Sequence, residues 1–301
     1  MTHGRRQFLH TASCLVGSTL FSRLPALARA CMPGPDTRLC AHLWVYASNY
    51  PPDWDATPVL DTVFSDLSYA GYYGVELMEP VLRHEGAVAR LQALQKKYGL
   101  RVSGTSYNGQ MWNRTRHDEI LQDIVLVTGR LQQVGGTTFG ISVGDAGRKK
   151  TEEELDAQAD CLKEVLRICS GRGIQPNLHN HTYELRDGMH DLNGTLSRVP
   201  GLKLGPDLNW LVRGGVDPVS FLDQYGDRIV YLHLRDQHAD GKWTEALGEG
   251  VTDFRAIAAA LQRIHFNGWA AVELAYDAPV TRPVRENWKR SREYTRSVFR
   301  F

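Results

Sequence analysis

Imidazoles and carboxylates recur at five points along the 301-residue chain, each at the end of a short apolar run: Val75-Glu76-Leu77-Met78-Glu79, Leu178-His179-Asn180-His181, Gly205-Pro206-Asp207, Leu232-His233-Leu234-Arg235-Asp236 and Val272-Glu273. Side chains alternate along an extended strand, so His179 and His181 point the same way and either can serve as a ligand. Nitrogen and oxygen donors arriving from neighbouring strands make a site for a divalent ion such as Mn²⁺, Zn²⁺ or Co²⁺, and the lack of thiolate donors argues against structural zinc. Singly, each residue has a bland reading as a satisfied core histidine, a helix cap or a solvated glutamate. Their recurrence at successive strand ends is harder to dismiss, because burying so many polar groups without a metal or substrate is costly.

The elements that must position these residues alternate. Eight runs read as strands: 39–47, 74–78, 101–105, 137–143, 175–179, 203–207, 229–233 and 268–273. Helical stripes lie between them. Phe254, Ile257, Ala258 and Leu261 repeat at helical spacing behind Thr252 or Asp253 as the cap. Leu155, Leu162, Val165, Leu166 and Cys169 form another stripe behind the acidic Thr151-Glu152-Glu153-Glu154. Strict alternation predicts a parallel sheet with crossover helices, and eight repeats predict a closed (β/α)8 barrel, an α/β fold in a single domain over residues 31–301. Functional groups of such barrels gather at the C-terminal strand ends, where the imidazoles and carboxylates lie. No glycine-rich nucleotide-binding fingerprint follows the first strand.

Composition narrows the function further. With 35 basic and 34 acidic residues the formal net charge is +1, so no basic field exists to hold a nucleic acid. The first thirty residues read as an export signal of the twin-arginine type: Arg5-Arg6-Gln7-Phe8-Leu9, a short apolar run, then Ala28-Arg29-Ala30. The run is too short to span a bilayer. A basic N-terminal arm is the alternative, and Cys31 also allows lipoprotein anchoring, although Arg29 sits badly in that motif. The expected location is the periplasm or beyond, which favours an unphosphorylated sugar. Of the cysteines that remain after position 30, Cys161 and Cys169 lie about 12 Å apart along one helix and cannot pair.

The second half resembles the xylose-isomerase-like TIM-barrel superfamily, which includes tagatose and psicose 3-epimerases, inosose dehydratase and endonuclease IV. The resemblance is strongest over residues 175–275. It is carried by Asp207-Leu208-Asn209-Trp210, Gly214-Gly215-Val216-Asp217-Pro218, the run from Arg228 to Asp236, Leu247-Gly248-Glu249-Gly250 with Asp253-Phe254, and the tail 268–273. Upstream, Gly71-Tyr72-Tyr73-Gly74-Val75-Glu76 matches as well. The resemblance implies one divalent metal held by His179, Asp207, His233 and Glu273. His179 departs from the epimerases, which carry glutamate there, and places the chain in a His-Asn-His branch with Glu184 nearby. That departure puts the two-glutamate mechanism of the epimerases in question.

The expected activity is a carbohydrate isomerase or epimerase working by proton transfer through an enediolate, with Glu273 as the main proton-transfer group and His181 or His179 as its partner. A lyase or dehydratase acting on a keto-sugar or keto-inositol is the alternative on the same site, and a sugar-binding barrel without catalysis is a second. A nuclease like endonuclease IV is disfavoured, because that relative needs extra His and Glu ligands that this chain does not match, and the near-neutral charge and the export signal oppose it. Glu76, Asn180, Trp44 and Trp210 are the expected contacts to a small carbohydrate, with Trp112 a further aromatic wall. Asp236, Glu184, Arg235 and also Asn180 would orient the ligands. Glu249 would either do the same or brace a loop. A homo-oligomer is compatible with all of this.

Overall fold

The computed structural model describes residues 38–301. The expected export signal, with Cys31, lies outside the described residues. Seven strands alternate with helices: β1 Arg38–His42, β2 Gly74–Met78, β3 Arg101–Asn108, β4 Thr138–Ser142, β5 Gln175–Leu178, β6 Tyr231–Leu234 and β7 Trp269–Glu273. All pair in parallel in the order β5-β4-β3-β2-β1-β7-β6. The gap between β5 and β6 is closed by residues 203–207. Leu204 bridges to Leu178 and to Ile229, and Asp207 bridges to His233. Leu178 N donates to Lys203 O (2.9 Å), Val230 N to Leu204 O (2.9 Å) and His233 N to Pro206 O (2.9 Å). The expected sixth strand is thus a stave of isolated bridges. Pro206 has no N–H to donate, and Gly205 packs so closely on Asn177 that a Cβ would lie 1.8 Å from its Oδ1. The barrel is single and nearly closed.

The first strand also departs from its expected span. It ends at His42, and Trp44–Ala47 forms one helical turn. His42 Nδ1 accepts from Trp44 N (3.2 Å) and anchors that turn. This brings His42 to the C-terminal edge of the barrel, in register with Glu76 on one side and Glu273 on the other.

The outer helices follow the apolar stripes. Thr151 and Glu154 form a reciprocal capping box at the start of Glu152–Ser170, and Asp253 Oδ1 accepts from Ala256 N (3.0 Å) at the start of Phe254–Arg263. Leu155, Leu162, Val165 and Cys169 are buried as their spacing demands, while Leu166 is half-buried. Cys40, Cys161 and Cys169 are free and buried. No described helix is long and apolar enough to cross a membrane. Inside the barrel, β3 and β4 approach so closely that a Cβ on Gly104 would lie 1.9 Å from Thr138 Oγ1 and 2.4 Å from its carbonyl oxygen. Gly104→Ala is therefore expected to cost roughly 2 kcal/mol or more by overpacking. Chemical denaturation checks this, and an unchanged midpoint would contradict it.

Candidate active site

Three of the expected ligands converge. His179 follows β5, Asp207 ends the bridged stave and His233 lies in β6. One donor atom from each lies within 4.8 Å of the others, and all three are buried. Glu273, at the end of β7, stands beside them with Oε2 3.0 Å from His233 Nδ1. Its other oxygen contacts the Arg235 guanidinium and lies 3.4 Å from His42 Nδ1. Arg235 Nε also sits 2.9 Å from Asp207 Oδ2.

The donor atoms themselves are informative. His179 Nδ1 is buried with no partner, whereas Asp207 Oδ2 meets Arg235 Nε, and His233 Nδ1 meets Glu273 Oε2, as charge contacts without aligned hydrogen-bond geometry. Buried polar atoms are nearly always satisfied, so the unpartnered His179 Nδ1 in the His179–Asp207–His233 cluster marks a place for a further group. The other nitrogen of His233, Nε2, is 2.7 Å from Glu76 Oε2, which also accepts from Tyr231 Oη (2.7 Å). Glu76 holds a proton on Nε2, the carboxylate–histidine arrangement that orients imidazole ligands toward metals. Nδ1 carries a proton toward Glu273 Oε2 at neutral pH, which an ion bound there would displace. On these grounds the donor set fits a divalent cation, with Arg235 as the neighbouring positive charge.

Electrostatics follow from burial and these partners. Burial alone would lower His233, but Glu76 and Glu273 raise it to about 10. Burial would raise the Glu273 carboxyl, yet Arg235 and His42 hold it well below the usual range. Glu273 is therefore ionised at neutral pH. Burial lowers His42 and His179, and burial with Arg235 nearby lowers His181 to about 4. These three imidazoles are neutral at pH 7 and available as proton acceptors or ligands.

The remaining expected residues divide. Trp44, Trp210, His181 and Arg235 line a cavity of about 970 Å³ that opens above the cluster, together with His179, His233 and Glu273. The His181 ring lies 4.8 Å from that of His179 between centroids and stacks on Tyr183 at 5.5 Å, while its backbone N–H donates to Glu184 Oε2 (2.7 Å). Glu184 is fully buried behind it. Glu76 and Asn180, expected to touch substrate, are buried away from the cavity lining. Glu76 instead holds His233 from beneath, and Asn180 Nδ2 donates weakly to Asp207 O (3.4 Å). Asp236 does not reach the ligands. Its carboxylate accepts from Gly248 N and Gly250 N (both 2.9 Å) and from Thr252 N (3.3 Å), tying down the loop after β6. Glu249 pairs with Arg282 (2.7 Å) and Arg290 (3.2 Å), and Trp112 lies outside the cavity lining.

The sequence reading missed His42, Ser106 and Trp243 and gave Glu79 no role beyond its place at a strand end, yet all four line the cavity. His42 Nε2 is 3.0 Å from Ser106 Oγ, and Arg235 lies 5.1 Å from the Trp243 ring. His42 was hidden inside a strand read five residues too long, whereas its spacing from Leu39 offered a strand-end signal. Trp243 sits in an aperiodic loop that offered none. Burial pushes the Glu79 carboxyl up to about 7, against a partial offset from Arg83. A carboxyl whose folded pKa is raised stabilises the fold below its unfolded value of about 4.5, and that contribution disappears as pH rises through about 7. The native protein is therefore expected to lose stability relative to Glu79→Gln between pH 5 and 8, by at most roughly 3 kcal/mol. Denaturant unfolding at the two pH values measures the difference, and a constant gap would show that Glu79 titrates normally.

Fold and site together define a parallel α/β barrel with its polar centre at the C-terminal strand ends. The chain belongs to the xylose isomerase-like TIM barrel family, which it matches over residues 64–298. An inosose dehydratase of Geobacillus kaustophilus is 25% identical over 257 residues, covering 74% of this chain and 82% of the relative. Among solved structures, a D-allulose 3-epimerase from Methylomonas sp. superposes with a TM-score of 0.73 at 17% identity, covering 87% of this chain and 98% of that one. A sugar phosphate isomerase/epimerase from Parabacteroides distasonis gives 0.71 at 18%, covering 91% and 98%.

Proposed function

We propose that the protein is a metal-dependent enzyme that moves a proton at the carbon beside the carbonyl of a sugar or keto-sugar, isomerising or epimerising it. The observation that carries this reading is the buried His179–Asp207–His233 donor cluster, with Glu273 beside it, under an aromatic-walled cavity that His179, His233 and Glu273 line. Those four residues would hold the ion. Once bound, a divalent ion supplies Lewis acidity to adjacent carbonyl and hydroxyl oxygens and so acidifies the C–H between them.

The protein's own groups account for the proton. Glu273, ionised and buried, is the base that takes it and leaves an enediolate. His42, 3.4 Å from Glu273 Oε1 and 3.0 Å from Ser106 Oγ, offers a route to relay it. The Arg235 guanidinium sets the charge balance against developing oxyanion character. The protonated Glu273 carboxyl returns the proton, directly or through His42, and His181, neutral and stacked on Tyr183 at the cavity wall, is a second proton acceptor.

A second reading, dehydration of a keto-inositol or keto-sugar, has its own support. Strand five presents His179 where a two-carboxylate epimerase needs glutamate, and one base suffices for β-elimination. The similarity to inosose dehydratases points the same way. NMR of the Mn²⁺-reconstituted protein with ketoses and inososes in D2O separates the readings. Deuterium beside the carbonyl with all oxygens kept supports isomerisation or epimerisation; loss of water supports dehydration; no exchange in any substrate sinks both. We also propose export through the twin-arginine route. N-terminal sequencing of mature periplasmic protein should begin at Cys31, and an uncleaved cytoplasmic chain would refute it.

A further inference from the structure

The cavity is larger than the proton-transfer chemistry requires. At about 970 Å³ it stands at the upper end of small-molecule sites, which run from about 300 to 1,000 Å³. Its floor is the cluster around His233 and Glu273. Its outer wall is built by Trp44, Trp54, Asp55, Glu79, Arg83 and His84, and of these the proposed mechanism uses none.

Two features of that outer wall suit a carbohydrate ring. Trp44 and Trp54 pack at 5.3 Å between centroids, offering aromatic faces to sugar C–H groups. Trp54 is 37% exposed and has a left-handed backbone at φ 54. A bulky residue seldom adopts that conformation, and such strain clusters at ligand clamps. The turn is held in place by Trp54 N donating to Tyr50 O (2.8 Å), Asp55 accepting from Thr57 N (2.9 Å) and a 2.6 Å contact from Asp55 to His84 Nε2.

Glu79 is the second feature. It lies three residues beyond Glu76, roughly 10 Å further along the strand direction. Glu76 holds His233, so Glu79 stands about one ring outward from the cluster. Its side chain is only 11% exposed, and the Arg83 guanidinium, 3.6 Å away, is committed to Asp123 at 2.6 Å. The carboxyl has the Arg83 guanidinium and the backbone N–H groups of Glu79 and Asn108 beside it, and because it lines the cavity it can also accept from a pair of vicinal hydroxyls.

We infer that this outer half is a subsite for a second ring, so that the substrate is a keto-sugar carrying a glycosyl or similar ring substituent rather than a free monosaccharide. The inference rests on the proton-transfer reading of the inner end. Trp54 and Trp44 cover the faces of the distal ring, and Glu79 takes its hydroxyls.

Calorimetry on the Mn²⁺-loaded protein tests it, with fructose as the single ring and palatinose, turanose and leucrose as glucosyl-fructoses. At least one disaccharide should bind roughly tenfold more tightly than fructose. Trp54→Ala, Trp54→Gly (which relieves the backbone strain) and Glu79→Gln should each remove that advantage while leaving fructose affinity within about twofold. Equal affinity for one and two rings, no binding of any disaccharide, or variants that weaken fructose as much as the disaccharide would each overturn the subsite. Deuterium exchange on the same sugars reports separately. Exchange without a two-ring preference removes the subsite and keeps the proton-transfer reading, whereas a two-ring preference without exchange does the reverse.

Discussion

Glu273→Gln is expected to lower the rate of proton exchange beside the substrate carbonyl by about 10³-fold, within the range that general base catalysis supplies. Glutamine matches glutamate in shape, so the packing around β7 survives. What disappears is the charge. In the native site Glu273 Oε2 lies 3.0 Å from His233 Nδ1, and Oε1 contacts Arg235 and lies 3.4 Å from His42. Arg235 retains Asp207 and His233 retains Glu76 in the variant, so stability should fall by no more than roughly 3 kcal/mol. Exchange within tenfold of the native rate, in a folded variant, would remove Glu273 from the role of base. A pure sugar-binding barrel would show unchanged affinity and no rate to lose.

Asp207→Asn should abolish stoichiometric metal, measured by inductively coupled plasma mass spectrometry after dialysis, and depress turnover by about 10³-fold. Its value as a test lies in the two jobs of this carboxylate. Oδ1 caps the helix Leu208–Arg213 by accepting from Asn209 N (2.9 Å) and Trp210 N (3.0 Å). Asparagine caps about as well as aspartate, so the helix start is retained. Oδ2 faces the cluster and Arg235 Nε at 2.9 Å, and there an amide offers donors where a ligand lone pair is needed. Chelation of the native protein should reproduce the loss, and added Mn²⁺ should reverse it only in the native chain. A dialysed Asp207→Asn protein still holding one metal ion per chain would disprove the ligand assignment.

Legibility varied along the chain for physical reasons. Helices with a clean 3.6-residue stripe and a capping residue, such as Phe254–Arg263 behind Asp253, could be read directly because stripe and cap are local. The stave at 203–207 was legible as an apolar run but not as a set of bridges, since whether Gly205-Pro206 sustains a ladder depends on its neighbours. His42 was obscured because an apolar sequence continues past it to Ala47. Only the hydrogen bond from Trp44 N to its ring shows where the strand stops.

The sequence by itself determined the alternation of strands and helices, the barrel it implies and the polar residues at the strand ends, because these depend on periodicity and on a general property of parallel barrels. It also carried the likeness through which His179, Asp207, His233 and Glu273 were named together. Tertiary structure alone decided what each carboxylate does. Glu76 turned out to hold His233 across 157 residues of chain, Asp236 to anchor a loop, and Arg235 to stand between Asp207 and Glu273. Whether a buried carboxylate meets a histidine, a guanidinium or three backbone amides is set by which distant strand end lies within 3 Å, and no local pattern encodes that distance.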